Sequence, residues 1–262
     1  MDTIADLRVE QIILLILTFV RISCIVAVAP IFGSQDVSLQ LKAGLAFMLT
    51  LIMFPLISGQ IVEIPVKMIP FIIMVIKEVS IGLIIGFSMT LLFAGIQFAG
   101  STIGMQMGFG LVNVIDPLTQ EEVTVVGQFQ FIIAILIFLI ISGHHFVIQA
   151  MLDSLNLVPL ASVHYEAGSL TEYMIQLTAG IFIIALKMGA PILVSLLLTE
   201  VGLGVIAKTV PQMNILMVGI PVKIGLGTLV WIISLPLFYV VFEKAIQQMR
   251  IDIFNLMYFL KV

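Results

Sequence analysis

Residues 79–115 have the sequence VSIGLIIGFSMTLLFAGIQFAGSTIGMQMGFGLVNVI, with seven glycines and no charged side chain. A membrane helix needs only about 20 apolar residues and has no use for so much glycine. Gly100, Gly104 and Gly108 are spaced by four residues, so on a helix they form one face that a second backbone can approach closely. Glycine also permits irregular backbone, which at membrane depth is tolerated only inside protein or beside water. The run therefore predicts a pore-lining or gating element rather than a simple anchor.

The composition is typical of a polytopic helical membrane protein. Of the 262 residues, 61% are hydrophobic and 10% are charged, whereas soluble domains have about 45–50% and about 25%. The net charge of −4 excludes a basic nucleic-acid-binding surface, and the single cysteine, Cys24, excludes an intrachain disulfide. The first apolar run follows Asp2, Asp6 and Glu10 and is followed by Arg21, which departs from the signal-peptide pattern, so we expect the run to be retained.

The apolar runs predict an all-α fold with broken helices. We expect helices over about residues 12–30, 40–58, 71–94, 123–142, 146–157, 172–198 and 223–242. The glycine-rich region 95–122 interrupts this series, and the polar stretch 159–171 is the only plausible internal boundary.

Charged side chains inside apolar runs indicate helix faces that avoid lipid. Arg21 and Lys187 lie near the centres of their runs, and Lys77 and Glu78 are neighbours in the third run. A charge at the bilayer centre costs about 2.5–3.5 kcal/mol even on the gentler insertion scale. We expect Arg21 and Lys187 to pair with other subunits, whereas Lys77 and Glu78 could equally extend to the membrane surface.

The basic residues contradict a simple threading of the C-terminal part through a membrane. Segment 143–172 has no lysine or arginine, and the next connector carries Lys208 and Lys223, as a cytoplasmic loop should. One crossing later Lys244 would lie on the wrong side. A re-entrant tail and a hairpin over 172–242 that packs on protein partners both fit, and we favour the hairpin.

Two prolines mark the bend of this hairpin. Residues 209–215 are TVPQMNI and residues 219–223 are GIPVK. Because proline cannot continue a helix, Pro211 and Pro221 predict a connector that reaches Val222.

No motif indicates catalysis or a cofactor. His144 and His145 project about 100° apart on a helix and are poor joint ligands, and no HExxH or nearby cysteine completes a metal site. The chain has no GxSxG, SxxK, P-loop or strand-preceded GxGxxG motif. We therefore predict no enzymatic activity, no cofactor and no metal.

Short motifs in a fixed order along almost the whole chain match one known family. They are Arg21 with Pro30-Ile-Phe-Gly33, Gln97 through Gly110, Asp116-Pro117, Gly143-His144, Pro191, Leu203-Gly204, Pro211 through Asn214, and Gly219 through Lys223. By these residues the chain resembles the FliR/SctT/YscT family of type III export gates. The family often has phenylalanines at the tip of the glycine-rich segment, where this chain has Phe109, then Leu111 and Val114.

The resemblance implies a subunit of the flagellar protein export gate in the bacterial inner (cell) membrane, at the flagellar basal body. Its partners would be several FliP-like and FliQ-like subunits, FlhB-like and FlhA-like components, exported unfolded proteins and membrane lipid, without nucleic acid. Residues 1–165 would imitate FliP, and residues 166–262 would imitate a FliQ hairpin. The alternatives are an injectisome gate subunit and a small-molecule secondary transporter, although no internal repeat of the transporter kind is visible.

In this interpretation a loop near residues 100–122 plugs the channel, because a hydrophobic constriction blocks ions by dewetting. The predicted gate residues are Gly100, Gly104, Met105, Met107, Gly108, Phe109, Gly110, Leu111 and Val114. The predicted subunit contacts are Arg21, Lys187, Pro211, Gln212, Asn214 and Lys223. The alternative for the glycines is a GxxxG helix that packs against a FliP-like subunit.

Overall fold

The structure, a computed structural model, describes residues 2–34, 36–57, 68–110, 124–160, 167–212 and 214–261, with backbone alone at 2–9, 167 and 215–216. Every regular element within these ranges is an α-helix, which confirms the predicted fold class. The helices are α1 Asp2–Val28, α2 Leu39–Ile57, α3 Met68–Met107, α4 Val125–Ile140, α5 Gly143–Leu157, α6 Ala167–Thr209 and α7 Ile215–Lys261.

Five helices are long and apolar enough to cross a membrane: α1 from Glu10 onward, α2, α3, α6 and α7. Helices α3, α6 and α7 have 40, 43 and 47 residues, about twice the roughly 20 that one span requires. Helices α4 and α5 have 16 and 15 residues. They are separated by a two-residue break that contains Ser142, a non-glycine residue with φ 59°, and together they could form one broken span.

Several predicted boundaries are wrong because helix extends further than the sequence indicated: α1 begins at Asp2 and α7 ends at Lys261, and three more differences lie beside glycines or prolines. Helix α3 continues to Met107, so the first third of the predicted plug loop is helix. Helix α6 continues to Thr209 and α7 begins at Ile215, so the connector is much shorter than predicted. Pro221 lies inside α7 rather than in the connector. The physical reason is that an apolar segment forms the most backbone hydrogen bonds as a helix. This gain in hydrogen bonding is larger than the helix-propensity cost of about 1 kcal/mol for each glycine and the one hydrogen bond lost at each proline.

The chain folds into two compact units, each built from separate stretches of sequence. Unit 1 contains Met1–Leu91, Ser142–Thr178 and Gln248–Val262. Unit 2 contains Leu92–Ile141 and Ala179–Gln247. Each unit therefore draws residues from both sides of the predicted boundary at 165, and the likeness of those two parts to partner subunits stays a prediction.

In unit 1, glycines bring α1 and α3 close together. A Cβ added to Gly82 would lie 2.6 Å from the Cβ of Cys24, and one added to Gly86 would lie 2.9 Å from the Cβ of Val28. Glycines four residues apart thus form a flat surface on α3 that accepts α1, as in membrane helix pairs with a GxxxG motif.

In unit 2, an aromatic cluster centred on Phe93 joins α3, α4 and α7. Its ring centroid lies 6.1 Å from that of Phe131, 5.4 Å from Phe138 and 6.0 Å from Phe242, each in an edge-to-face arrangement. Such pairs stabilise a core by about 0.5–1.5 kcal/mol beyond the buried area. This cluster holds the C-terminal part of α3 in place beside the candidate site.

Candidate functional site

The glycine-rich end of α3 is a helix-packing surface in unit 2. A Cβ on Gly100 would lie 2.5 Å from the Cα of Gly127, and one on Gly104 would overlap the side chain of Thr124. The Thr124 hydroxyl caps α4 by accepting a hydrogen bond from the Gly127 N–H at 3.1 Å, and it donates to the Gly100 carbonyl at 3.2 Å. The two helices therefore touch backbone to backbone, and one threonine links them.

Helix α3 ends in a Schellman motif at Gly108. The N–H of Gly108 donates to the carbonyl of Met105 at 3.0 Å, and the N–H of Phe109 donates to the carbonyl of Gly104 at 3.0 Å. Gly108 has φ 103°, a conformation that residues with a side chain rarely adopt. The chain thus turns sharply away from the helix axis at Gly108.

Beside this turn, unit 2 has a small apolar core formed by Ile103 and Met107 of α3 with Ile192 and Leu196 of α6. Met107 is 1% exposed, and its side chain occupies the space that a Cβ on Gly227 of α7 would need. Phe109, Ile224 and Trp231 are among the partly buried side chains that pack on this core.

These contacts correct part of the predicted gate. Gly100 and Gly104 are helical rather than loop residues, and they pack against Gly127 and Thr124 within the chain. Met107 lies in the core because it follows Ile103 by four residues and so shares its buried face. Met105, in contrast, is 58% exposed.

For the remaining gate residues, a role in closing the channel stays a prediction. Gly108, Phe109 and Gly110 follow the end of α3 directly. Leu111 and Val114 lie outside the described residues.

Three of the six predicted subunit contacts, Pro211, Gln212 and Asn214, lie in the hairpin turn of unit 2, and Lys223 follows in α7. Pro211 and Gln212 are exposed in the turn, and the side chain of exposed Asn214 accepts a hydrogen bond from the Met217 N–H at 3.3 Å at the start of α7. Lys223 donates to Glu200 at 2.9 Å across the hairpin. The turn thus has a polar, exposed surface, and its contacts with other subunits stay a prediction.

Arg21 is the clearest correction among the predicted subunit contacts. In unit 1 its side chain is fully buried, and its Nε donates to the equally buried Glu78 carboxylate at 2.6 Å. Its Nη1 donates to the carbonyls of Ser154 and Val158, each at 2.7 Å, at the C-terminal end of α5. The arginine therefore pairs inside the chain, where it joins α1, α3 and α5.

Lys187, the other predicted charge, is exposed on α6 in unit 2. Its role at a subunit contact therefore stays a prediction.

The sequence interpretation missed two polar residues at the α3–α4 contact. Thr124 precedes an apolar run, which is the usual signal for a helix cap, and so could have been found. Gln130 is 1% exposed, and within the described residues neither its Oε1 nor its Nε2 has a hydrogen-bond partner. Nothing in the sequence distinguishes this glutamine from Gln128, which is exposed.

The helices, their apolar surfaces and the buried charges define an all-helical, polytopic membrane protein whose helices pack through glycine. The family described as Bacterial export proteins, family 1, matches residues 12–249, and the chain belongs to this family.

Relatives named Flagellar biosynthetic protein FliR match over nearly the full length. The protein from Bacillus subtilis (strain 168) is 33% identical over 245 residues, which cover 90% of this chain and 92% of that protein. The protein from Pectobacterium carotovorum subsp. carotovorum is 32% identical, covering 84% and 83%. The protein from Escherichia coli (strain K12) is 27% identical, covering 90% and 88%. These matches agree with the family resemblance that the sequence motifs indicated.

Proposed function

We propose that the chain is a non-enzymatic subunit of the flagellar type III protein export gate in the bacterial inner membrane, at the flagellar basal body. The observation that carries this proposal is the match to bacterial export proteins over residues 12–249. The flagellar relatives are covered almost completely, which supports a shared role for the whole chain rather than for one domain. The same matches favour a flagellar system over an injectisome and protein export over solute transport.

The proposed partners are several FliP-like and FliQ-like subunits around one copy of this chain, with FlhB-like and FlhA-like components nearby. Residues 1–165 would take the place of a FliP-like subunit, and residues 166–262 that of a FliQ-like hairpin. The large apolar surface of the long helices supports this assembly: only 11% of an apolar 18-residue stretch of α7 is buried within the chain. Exported proteins would pass in an unfolded state through the channel that the subunits enclose.

The proposed gate begins where α3 ends. Gly108 turns the chain out of the helix, and the exposed Met105 would form the start of the constriction together with Phe109 and Gly110. Leu111 and Val114, outside the described residues, would continue its apolar lining. An apolar constriction closes a channel to ions without a covalent or metal-dependent step.

Co-purification tests the proposed function. The tagged chain is expressed with the FliP-like and FliQ-like proteins of the same genome, and an unrelated helical membrane protein of similar size with the same tag is the control. We expect a stable complex with a single copy of this chain. A chain that is monodisperse alone, binds neither protein and binds a small solute would refute the proposal in favour of a transporter.

Paired substitutions test the gate within the assembled complex. Leu111→Asn with Val114→Thr keeps the branching of both side chains but makes the lining polar, and Leu111→Met with Val114→Ile is the apolar control. We expect the polar pair to make cells leaky to ions with assembly retained, because a polar constriction stays wet. Loss of assembly without a leak would show that these residues pack between subunits.

A further inference from the structure

Helix α6 has an exposed apolar stripe in unit 2 that contains one lysine. Ile183, Lys187, Val194 and Leu198 follow each other at intervals of four, seven and four residues, so they lie on one face. The three apolar side chains are 56–64% exposed. Within the described ranges the Lys187 ammonium has no hydrogen bond and no ion pair.

The backbone carbonyl of Lys187 is a second polar group at this position of α6. Pro191 is inside the helix, one turn beyond Lys187. Because proline has no N–H, the carbonyl of Lys187 loses the donor that a helix normally supplies from four residues further on. The stripe therefore presents a positive charge and a backbone acceptor side by side.

Hydrocarbon offers no hydrogen-bond or charge partner to either group. Lys187 lies within the candidate span Gly168–Thr209, which at 42 residues is about twice the length that one crossing needs. Charged side chains inside apolar spans are rare, face protein or water, and pair with opposite charges. The other charge in this part of α6, Glu200, already has Lys223 at 2.9 Å. Lys187 is thus the charge on this surface that still requires a partner from outside the described chain.

The backbone also leaves room for a close neighbour. Gly180 lies seven residues before Lys187 on the same face, and a Cβ added there would meet nothing within 4 Å. Small residues on a membrane helix let a second helix approach closely, which strengthens polar contacts between the two.

We propose that this stripe binds a transmembrane helix of another export-gate subunit that carries an Asp or Glu opposite Lys187. A serine, threonine or asparagine of the same helix would donate to the freed Lys187 carbonyl. Ile183, Val194 and Leu198 supply the apolar contact on both sides of the charge. This inference rests on the proposed function, since it requires the assembled gate.

Charge reversal in the assembled complex tests this binding site. Lys187→Glu should reduce the amount of partner subunits that co-purify with the tagged chain by about tenfold or more, because it places two carboxylates together in a buried contact. Lys187→Arg should retain most of the partner. The matched control is Lys208→Glu, the same change at an exposed lysine in the last turn of α6, which should leave assembly unchanged.

The stability of the chain alone and a compensating charge change in the partner distinguish loss of this contact from misfolding. The unfolding midpoint of the purified chain alone should be the same for all three variants, since within the described residues neither Lys187 nor Lys208 has a hydrogen bond or ion pair to lose. A lowered midpoint for Lys187→Glu would overturn the proposal. An Asp→Lys or Glu→Lys change in one partner helix should restore assembly with Lys187→Glu, and failure of every such change would also overturn it. Normal assembly of Lys187→Glu would place the stripe against lipid or water. Failure of the unmodified chain to assemble would instead refute the proposed function.

Discussion

Removal of Arg21 should destabilise unit 1 more than any other single truncation of a buried side chain. In Arg21→Met the buried Glu78 carboxylate loses a partner at 2.6 Å, and the carbonyls of Ser154 and Val158 lose donors at 2.7 Å. Breaking a buried ion pair by removing one partner costs about 3–5 kcal/mol. Each carbonyl adds roughly 1–1.5 kcal/mol, so we expect a loss of about 5–8 kcal/mol in the free energy of unfolding.

Glu78→Leu should cost less, about 3–5 kcal/mol, because the arginine stays bound to the two carbonyls. In the double variant no charge is left unpaired, and only the two carbonyl bonds are missing. Its loss should therefore be about 2–3 kcal/mol, smaller than that of Arg21→Met alone.

The assay is unfolding of the purified chain in mild detergent by titration with SDS, followed by far-ultraviolet circular dichroism. If Arg21→Met cannot be purified, recovery of folded protein on adding Glu78→Leu gives the same comparison. Lys208→Met, at an exposed lysine, is the control and should change little. Equal losses in Arg21→Met and the double variant would refute the pairing, because they would show that loss of the arginine does not destabilise the buried Glu78 carboxylate.

Three further substitutions are checked with the same titration. Gly100→Ala should lower the free energy of unfolding by about 1–3 kcal/mol, because its methyl group would lie 2.5 Å from the Cα of Gly127. Gly180→Ala, whose methyl group would meet nothing within 4 Å, should raise it by up to about 1 kcal/mol. Equal effects of the two variants would contradict the close contact at Gly100. Thr124→Ala should cost about 0.5–2 kcal/mol and Thr124→Ser much less, since serine retains the cap; a larger loss for serine would speak against the hydroxyl's role. Gly108→Ala should cost about 1–2 kcal/mol because of its φ of 103°, and an unchanged midpoint would mean that α3 ends differently.

Helix bounds were predictable where charges or prolines flank an apolar run. The second and fourth predicted helices agree with α2 and α4 to within about two residues. The end of α3 was not predictable in this way, because the uncharged run continues past it and a glycine is equally typical of a close helix contact and of a bend. Only the position of the neighbouring helix distinguishes the two: Gly100 and Gly104 lie against Gly127 and Thr124 and are therefore packing residues.

The partner of Arg21 could not be predicted from the sequence, for a different reason. A buried charge predicts that a partner exists, and other subunits fit that prediction as well as Glu78 does. Adjacent residues on a helix also point in different directions, so nothing in the sequence showed which of Lys77 and Glu78 lies inside. The exposure of Lys187 also required the fold, because the sequence does not show which face of α6 other helices cover.

The contacts of Arg21 also set a time constraint on synthesis. Its carboxylate partner follows 57 residues later, and the more distant carbonyl follows 137 residues later. At about 5–20 residues per second, Arg21 is made about 3–11 s before Glu78 and about 7–27 s before Val158. Throughout this interval the first helix has a charged side chain that its own chain cannot yet neutralise. Until α3 arrives, an inserted α1 therefore bears the cost of an arginine without its carboxylate, about 2.5–3.5 kcal/mol at the bilayer centre, and α3 removes that cost by supplying Glu78.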